Sequence, residues 1–290
     1  MAVTFQSLRS GSNGNCLQLW TARTRLLVDC GWESTRACRR ALALAPAGAP
    51  PAIDAVFLTH LHGDHLSAAA IRALSDLRLP VYCHQSCLEE ASRLSAPLRL
   101  RPFTDAPVPI GDLEVTPTRV RHSPRVVTHA FSVRSPADER RVVIATDLST
   151  WDGLLHLFLD ADFIFVESNH DVRLARQRPV PNSRHHLSND QTAALLCQVL
   201  RQSRRPPAGV MLAHLSAERN APELARACVE AALRRAGLWE AAPPLWLAPR
   251  RAGSVTVTLA ARGRAAAART PAATSDQLPL FGRGDRGHGP

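Results

Sequence analysis

The chain has 290 residues, 45% of them hydrophobic and 21% charged, and 35 basic side chains against 25 acidic ones give a formal net charge of +10. This composition excludes a wholly disordered chain, and the length suits one large domain or two small ones. No apolar run reaches the ~18 residues of a membrane span, and the N-terminal MAVTFQSLRSGSNGN lacks the apolar stretch of a secretory signal.

In chain order, short strands are predicted at Val3–Leu8, at Cys16–Trp20 after a Gly-rich turn, and at Arg25–Asp29. A helix over Ser34–Leu44 and the Pro/Gly/Ala loop APAGAPPA lead to a strand over Ile53–Thr59. Helical spacing follows over Leu66–Leu77. Further strands are expected at Pro80–Cys83, Leu113–Val120, Val126–Val133, Arg141–Ala145 and Phe163–Val166. Helices over Asn189–Gln202 and Ala221–Ala236 enclose a strand at Gly209–Ala213, and Val255–Leu259 is the last strand expected. Strands that cluster first and then alternate with helices favour α/β layering. From residue 261 the chain turns rich in Ala, Arg, Gly and Pro, and five Arg against two Asp leave it at +3. Residues 1–260 therefore read as the folded unit and 261–290 as a flexible basic tail.

One segment stands apart chemically. Thr59-His60-Leu61-His62-Gly63-Asp64-His65 follows an apolar strand and precedes a predicted helix. Clustered cationic histidines repel one another, whereas neutral imidazoles coordinate a divalent metal directly. His122 follows LEVTPTRV, Asp147 follows RVVIAT and His214 follows GVMLA. Each lies beyond the C-terminal end of a predicted strand, where ligands gather in layered α/β folds.

These residues resemble the metallo-β-lactamase superfamily over roughly residues 1–260, through a full match to its HxHxDH motif. The resemblance implies an αβ/βα sandwich, two mixed sheets flanked by helices. It implies that His60, His62 and His122 hold one metal, that Asp64, His65 and His214 hold a second, and that Asp147 bridges both. Zinc is favoured by the histidine-rich shell, with manganese as the alternative because carboxylates take part. Asp64 is also placed to orient an attacking water.

Four segments narrow the match: SLRSGSNGNC at 7–16, Glu167-Ser168-Asn169-His170-Asp171, His186-Leu187-Ser188-Asn189, and His214-Leu215-Ser216-Ala217-Glu218-Arg219-Asn220. Together they resemble the YycJ/WalJ-like exonuclease branch. That likeness implies phosphodiester hydrolysis, with DNA as polymer, 5′-to-3′ polarity and a role in replication or repair. His186 is then the phosphate contact and general acid, aided by Glu167. Ser12, Asn13, Asn15, Ser188 and Asn189 join His186 as expected substrate contacts. The alternatives are a phosphodiesterase for small cyclic or diester phosphates, a ribonuclease, and a clamp-associated scaffold. The stretch from Val172 to Ser183 departs from the branch by lacking a Gly-Pro-Tyr-Pro-like turn. Asp147 and His214 are only 67 residues apart, which leaves no room for the long β-CASP insertion.

All 35 basic side chains are arginine, a planar fork that suits phosphate, so the charge permits a nucleic-acid partner without establishing one. The pairs Arg39-Arg40, Arg204-Arg205 and Arg234-Arg235 read as solvated helix ends that would form a phosphate track only if they shared a face. Seven scattered cysteines read as reduced thiols, and Cys83-His84-Gln85-Ser86-Cys87 lacks the second thiol pair of a closed zinc site. In the tail, Gln277-Leu278-Pro279-Leu280-Phe281 resembles the bacterial sliding-clamp binding peptide, with Pro279 at its middle position. Gln277, Leu278, Leu280 and Phe281 are the implied clamp contacts. A cytoplasmic protein at the nucleoid or replisome, with no membrane contact, is the matching expectation.

Overall fold

The computed structural model describes residues 2–178 and 184–261. The first sheet begins with β1 (Val3–Arg9), β2 (Cys16–Trp20) and β3 (Arg25–Val28), paired antiparallel. It continues in parallel through β4 (Ala55–Phe57), β5 (Pro80–His84) and β6 (Arg99–Phe103). The second sheet repeats this plan. β7 (Val108–Ile110), β8 (Leu113–Val120), β9 (Thr128–Ser135) and β10 (Arg140–Ala145) are antiparallel. β11 (Phe163–Glu167), β12 (Gly209–Ala213) and β13 (Leu245–Leu247) extend it in parallel. β14 (Val257–Leu259) returns to pair with β1, so each sheet has seven strands and is mixed.

The alternation of side chains along each strand explains how the sheets stack. Leu26 and Val28 of β3 join the core between the sheets, while Leu27 faces the other way, towards the helices. In β11 the same period sends Phe163 and Phe165 inwards and Ile164 and Val166 outwards. Strands covered on both faces are apolar at every position, which is why Phe163–Val166 reads as a continuous run. Phe5 contacts Phe163 and Phe165 across the interface, with ring centroids 4.9 and 5.3 Å apart.

Helices cover the two outer faces, giving the αβ/βα sandwich. α1 (Thr35–Ala43) and α2 (Ala68–Asp76) bury Cys38, Leu42, Ile71 and Leu74 against the first sheet. Ser34 and Ser67 cap them by accepting the backbone N–H of Ala37 and Ala70. Three short helices follow at other points of the chain: α3 (Leu88–Ser92), α4 (Leu155–Phe158) and α5 (Val172–Gln177). The second sheet is covered mainly by α6 (Asn189–Gln202) and α7 (Pro222–Arg235), through Leu195, Leu196, Val229 and Leu233.

The predicted strand over 53–59 shrinks to 55–57, and the short helices and β6, β7 and β13 were not foreseen. All three of those strands lie at sheet edges. There Arg99, Arg101, Pro102 and Pro109 are tolerated and the apolar alternation is diluted.

The arginine pairs do not form a common track. Arg39 pairs with Asp76, Arg204 lies 2.7 Å from Asp160, and Arg234 stacks 4.0 Å from the Trp239 ring centroid. Helices α1 and α7, which carry Arg39 and Arg234, cover opposite sheets. Cys83 is buried beneath α2, and burial pushes its thiol up to about 11. Among the described residues, no helix is long and apolar enough to cross a membrane.

Candidate metal centre

The chemistry-bearing residues cluster where strands end. Asp29 follows β3, His60 and His62 follow β4, His122 follows β8, Asp147 follows β10, Glu167 ends β11 and His214 follows β12. Asp29, Asp147 and His214 are left-handed, with φ of 59°, 59° and 51°. Each such residue costs about 1–2 kcal/mol, and hydrogen bonds hold it in place. The N–H of Asp29 donates to Phe57 O at 2.8 Å, that of Asp147 to Glu167 Oε2 at 3.2 Å, and that of His214 to Ser10 Oγ at 2.9 Å. Close backbone packing fixes the motif loop. A side chain at Gly31 would collide with the Asp64 carbonyl, and that carbonyl accepts the N–H of Asn15 at 2.7 Å.

His60, His62 and His122 offer ligating atoms within 4.8 Å of one another, as do Asp64, His65 and His214. Asp147 joins His60 and His65 in one such group and Glu167, His186 and His214 in another. His60 Nε2 faces His62 Nδ1 at 2.9 Å. His65 Nε2 is 3.0 Å from Asp147 Oδ2, yet that buried oxygen has no aligned hydrogen-bond partner. Nitrogens that face one another beside an orphaned carboxylate oxygen are what a donor set for shared cations looks like. The residues present therefore fit two divalent ions.

The electrostatics agree. Burial opposes ionisation of Asp147, but His214 and His65 hold it well below the carboxylate range. Burial also opposes the charged form of His214, and Asp147, Asp64 and Glu167 outweigh it, pushing the imidazole up to about 10. His65 is raised well above its ordinary value in the same way, against burial, by Asp147 and Asp29. Burial, with His65 next to it, keeps His60 well below its usual range. Without a cation the centre thus neutralises its carboxylates with protons on imidazoles. Bound metal would replace those protons.

A second layer aims the rings. Asp29 Oδ2 accepts from His65 Nδ1 at 2.7 Å, and the His185 carbonyl accepts from His122 Nδ1 at 2.9 Å. Glu167 Oε2 accepts from His186 Nδ1 at 2.8 Å and His214 Nδ1 at 2.9 Å. Engaging Nδ1 leaves Nε2 of His65, His122 and His214 directed at the centre. Asp29 escaped the sequence reading; its only signal there is an acidic residue closing an apolar strand.

Above the cluster opens a polar cleft of about 440 Å³. Ser12, Asn13, His62, Asp64, His122, Asp147, His186 and His214 line it, together with Ser123, Asn169, His185, Ser216, Glu218 and Arg219, which were not singled out from sequence as contacts. Three expected contacts, Asn15, Ser188 and Asn189, are not among its lining, nor is Glu167, the expected aid to His186. Glu167 is 0% exposed and spends both oxygens on His186, His214 and the N–H groups of Asp147, Leu148 and Leu187. Its hydrogen bonds position the imidazoles of His186 and His214. Asn15 braces the motif loop, with Oδ1 accepting from Gly11 N at 2.9 Å and Nδ2 lying 3.1 Å from His65 Nε2. Ser188 caps α6 in a capping box with Gln191. Asn189 is buried against Ser168 and Asn220. Gln277, Leu278, Leu280 and Phe281 lie outside the described residues.

Comparisons with known proteins match this picture. The family model described as "Beta-lactamase superfamily domain" matches residues 24–214. Exodeoxyribonuclease YycJ of Bacillus anthracis is 28% identical over 251 residues, which is 82% of this chain and 91% of that protein. Among solved structures, the metallo-beta-lactamase fold protein YhfI from Bacillus subtilis aligns with a TM-score of 0.64 at 18% identity, covering 89% of this chain and 100% of that one. Human tRNase Z, short form, aligns at 0.55 with 19% identity, covering 88% and 99%. At those identities the structural likeness is one of fold.

Proposed function

Because the chain belongs to the beta-lactamase superfamily, we propose that its histidine–carboxylate cluster is the two-metal centre of a phosphodiesterase, acting as a 5′-to-3′ DNA exonuclease in replication or repair. The observation that carries the hydrolase reading is the convergence of five imidazoles and two carboxylates at the floor of a polar cleft. Similarity to an exodeoxyribonuclease over 91% of that relative's length supports DNA as the polymer.

His60, His62 and His122 would hold one ion, Asp64, His65 and His214 the other, and Asp147 would reach both. Zinc suits this shell, and manganese is the alternative. When bound, the two ions supply Lewis acidity at phosphoryl oxygens and lower the pKa of a water to near neutrality. The chain's own residues do the rest. Asp64 lines the cleft and orients the attacking water. His186, whose side chain is 14% exposed, presents Nε2 to the scissile phosphate while Nδ1 stays bonded to the buried Glu167. Burial resists the charged form of Glu167, but His186 and His214 hold it down to about 2. With Nδ1 held by that anion, His186 can pass a proton from Nε2 to the departing alkoxide. Ser12 and Asn13, on the N-terminal loop, also line the cleft and bind the phosphate backbone there.

Residues 1–260 form the catalytic unit in this reading, and 261–290 the tether. Its Gln277–Phe281 island would dock on a bacterial sliding clamp and hold a cytoplasmic enzyme at the replisome. Alanine at both Leu280 and Phe281 then abolishes clamp binding; unchanged affinity refutes that contact.

A panel of end-labelled single- and double-stranded DNA, RNA and cyclic nucleotides, each with Zn²⁺ or Mn²⁺, tests the assignment. The expected outcome is short products released from the 5′ end of DNA. Preferred cleavage of RNA or of a cyclic nucleotide would replace the DNA reading by the ribonuclease or small-diester alternative.

A further inference from the structure

A separate group of ligating side chains lies outside the cleft. His84 ends β5, Asp105 follows β6 and His129 is the second residue of β9. Their ligating atoms lie within 4.8 Å of one another, and none of the three lines the cleft above the main cluster.

His129 is the unusual member. It is 0% exposed, and neither of its ring nitrogens has a hydrogen-bond partner. A neutral imidazole carries one donor and one acceptor, so burying both unpaired is unfavourable twice over. Nε2 faces Asp105 Oδ1 at 3.9 Å. That is too long for a hydrogen bond, but it suits two ligands sharing one cation at ~2.0–2.2 Å from each. The His84 ring stacks on His129 with centroids 4.6 Å apart. His84 Nδ1 is taken by Ser86 Oγ at 2.7 Å, which leaves Nε2 as its available nitrogen.

We propose that His84, Asp105 and His129 form a further site for a divalent cation of zinc type, distinct from the two-metal centre. Two imidazoles and one carboxylate make a borderline donor set, with a fourth position left for water. Burial, reinforced by His84, keeps the His129 imidazole down to about 4, so its lone pair is free for a metal at neutral pH. Arg119, the exposed cross-strand partner of His129, adds a positive charge that the Asp105 carboxylate offsets. The site would tie the end of β5, the loop after β6 and the start of β9 into one unit. The N–H of His129 also donates to Thr59 O at 3.0 Å, a backbone contact to the motif loop that does not involve the side chains of His84 or Asp105.

Metal-free full-length protein is titrated with Zn²⁺ against a chromophoric chelator, alongside Asp105→Asn and His84→Gln. The Asp105 side chain is 81% exposed, so its change leaves the fold intact. Each variant is expected to bind one equivalent fewer than the parent while hydrolysis at the main centre is unchanged. Equal zinc counts in the parent and both variants overturn the proposal. The count does not depend on activity, so a failure here and a failure of the exonuclease reading are distinguishable.

Discussion

Replacing Glu167 by Gln removes one negative charge and turns one acceptor oxygen into an NH₂ group. Five donors converge on the carboxylate: Nδ1 of His186 and His214 at 2.8 and 2.9 Å, and the N–H groups of Leu187, Asp147 and Leu148 at 2.8, 3.2 and 3.3 Å. The least damaging rotamer keeps the amide oxygen towards the imidazoles. It then sets NH₂ against the N–H groups of Leu187 and Leu148. Each buried donor left without an acceptor costs about 1–3 kcal/mol, and the 3.3 Å bond was weak already, so the total is about 2–4 kcal/mol of stability. The imidazoles also lose the anion that aims them, a change worth roughly 10–100-fold in metal affinity or activity. Thermal unfolding of the metal-free protein, chelator competition and hydrolysis of bis(p-nitrophenyl) phosphate read the three effects. Parental metal affinity and rate in a folded Glu167→Gln protein would refute the positioning role.

Other outcomes follow from the same geometry. His214 stays protonated below about 10 in the metal-free centre and must be neutral to ligate, so Zn²⁺ added at pH 8 in weak buffer should release protons; an indicator that shows none contradicts the charge balance. Ser188→Ala removes a helix cap and should cost ~1 kcal/mol, or about 2–4 °C in Tm, with KM unchanged. A raised KM at constant Tm would return Ser188 to the substrate. Glu33 is held down to about 2 chiefly by its hydrogen bonds from Arg9, so it stabilises the fold above its ordinary 4.5, and that contribution is lost as pH falls from there through about 2. Its side chain is 55% exposed, which keeps the parent-minus-Glu33→Gln difference under about 1 kcal/mol at neutral pH, and a difference that persists unchanged below pH 2 contradicts the ion pair.

What could be read from sequence follows physical lines. His60, His62, Asp64 and His65 sit within one loop, and packing offers no reason to crowd imidazoles, so that motif is legible as chemistry. Asp147 and His214 are single residues, legible because each closes an apolar strand. Burial is not written in a motif. Glu167, Asn15, Ser188 and Asn189 are polar groups in segments that resemble a nuclease site, yet caps, loop bracing and imidazole positioning consume them before any substrate arrives. Asp29 shows the reverse error, a strand-end carboxylate whose value to His65 appears only once β3 and β4 are side by side. His84, Asp105 and His129 come from three separate elements, and only the ends of the two sheets bring them together. The edge strands β6, β7 and β13 were lost because an edge needs only half a hydrophobic pattern. The charge of +10 also proved a blunt guide, since Arg9, Arg39 and Arg204 are paired with carboxylates and Arg234 lies on a tryptophan.

The central claim is that Asp147 joins two ions into one hydrolytic centre. Metal content and bis(p-nitrophenyl) phosphate hydrolysis measured on the same preparations of parent and Asp147→Ala test it most directly. The account predicts that the variant stays folded, carries at least one ion fewer and loses about 100-fold or more in rate, as expected when a group that orients both ions is removed. A folded Asp147→Ala protein with the parental metal count and the parental rate would contradict it.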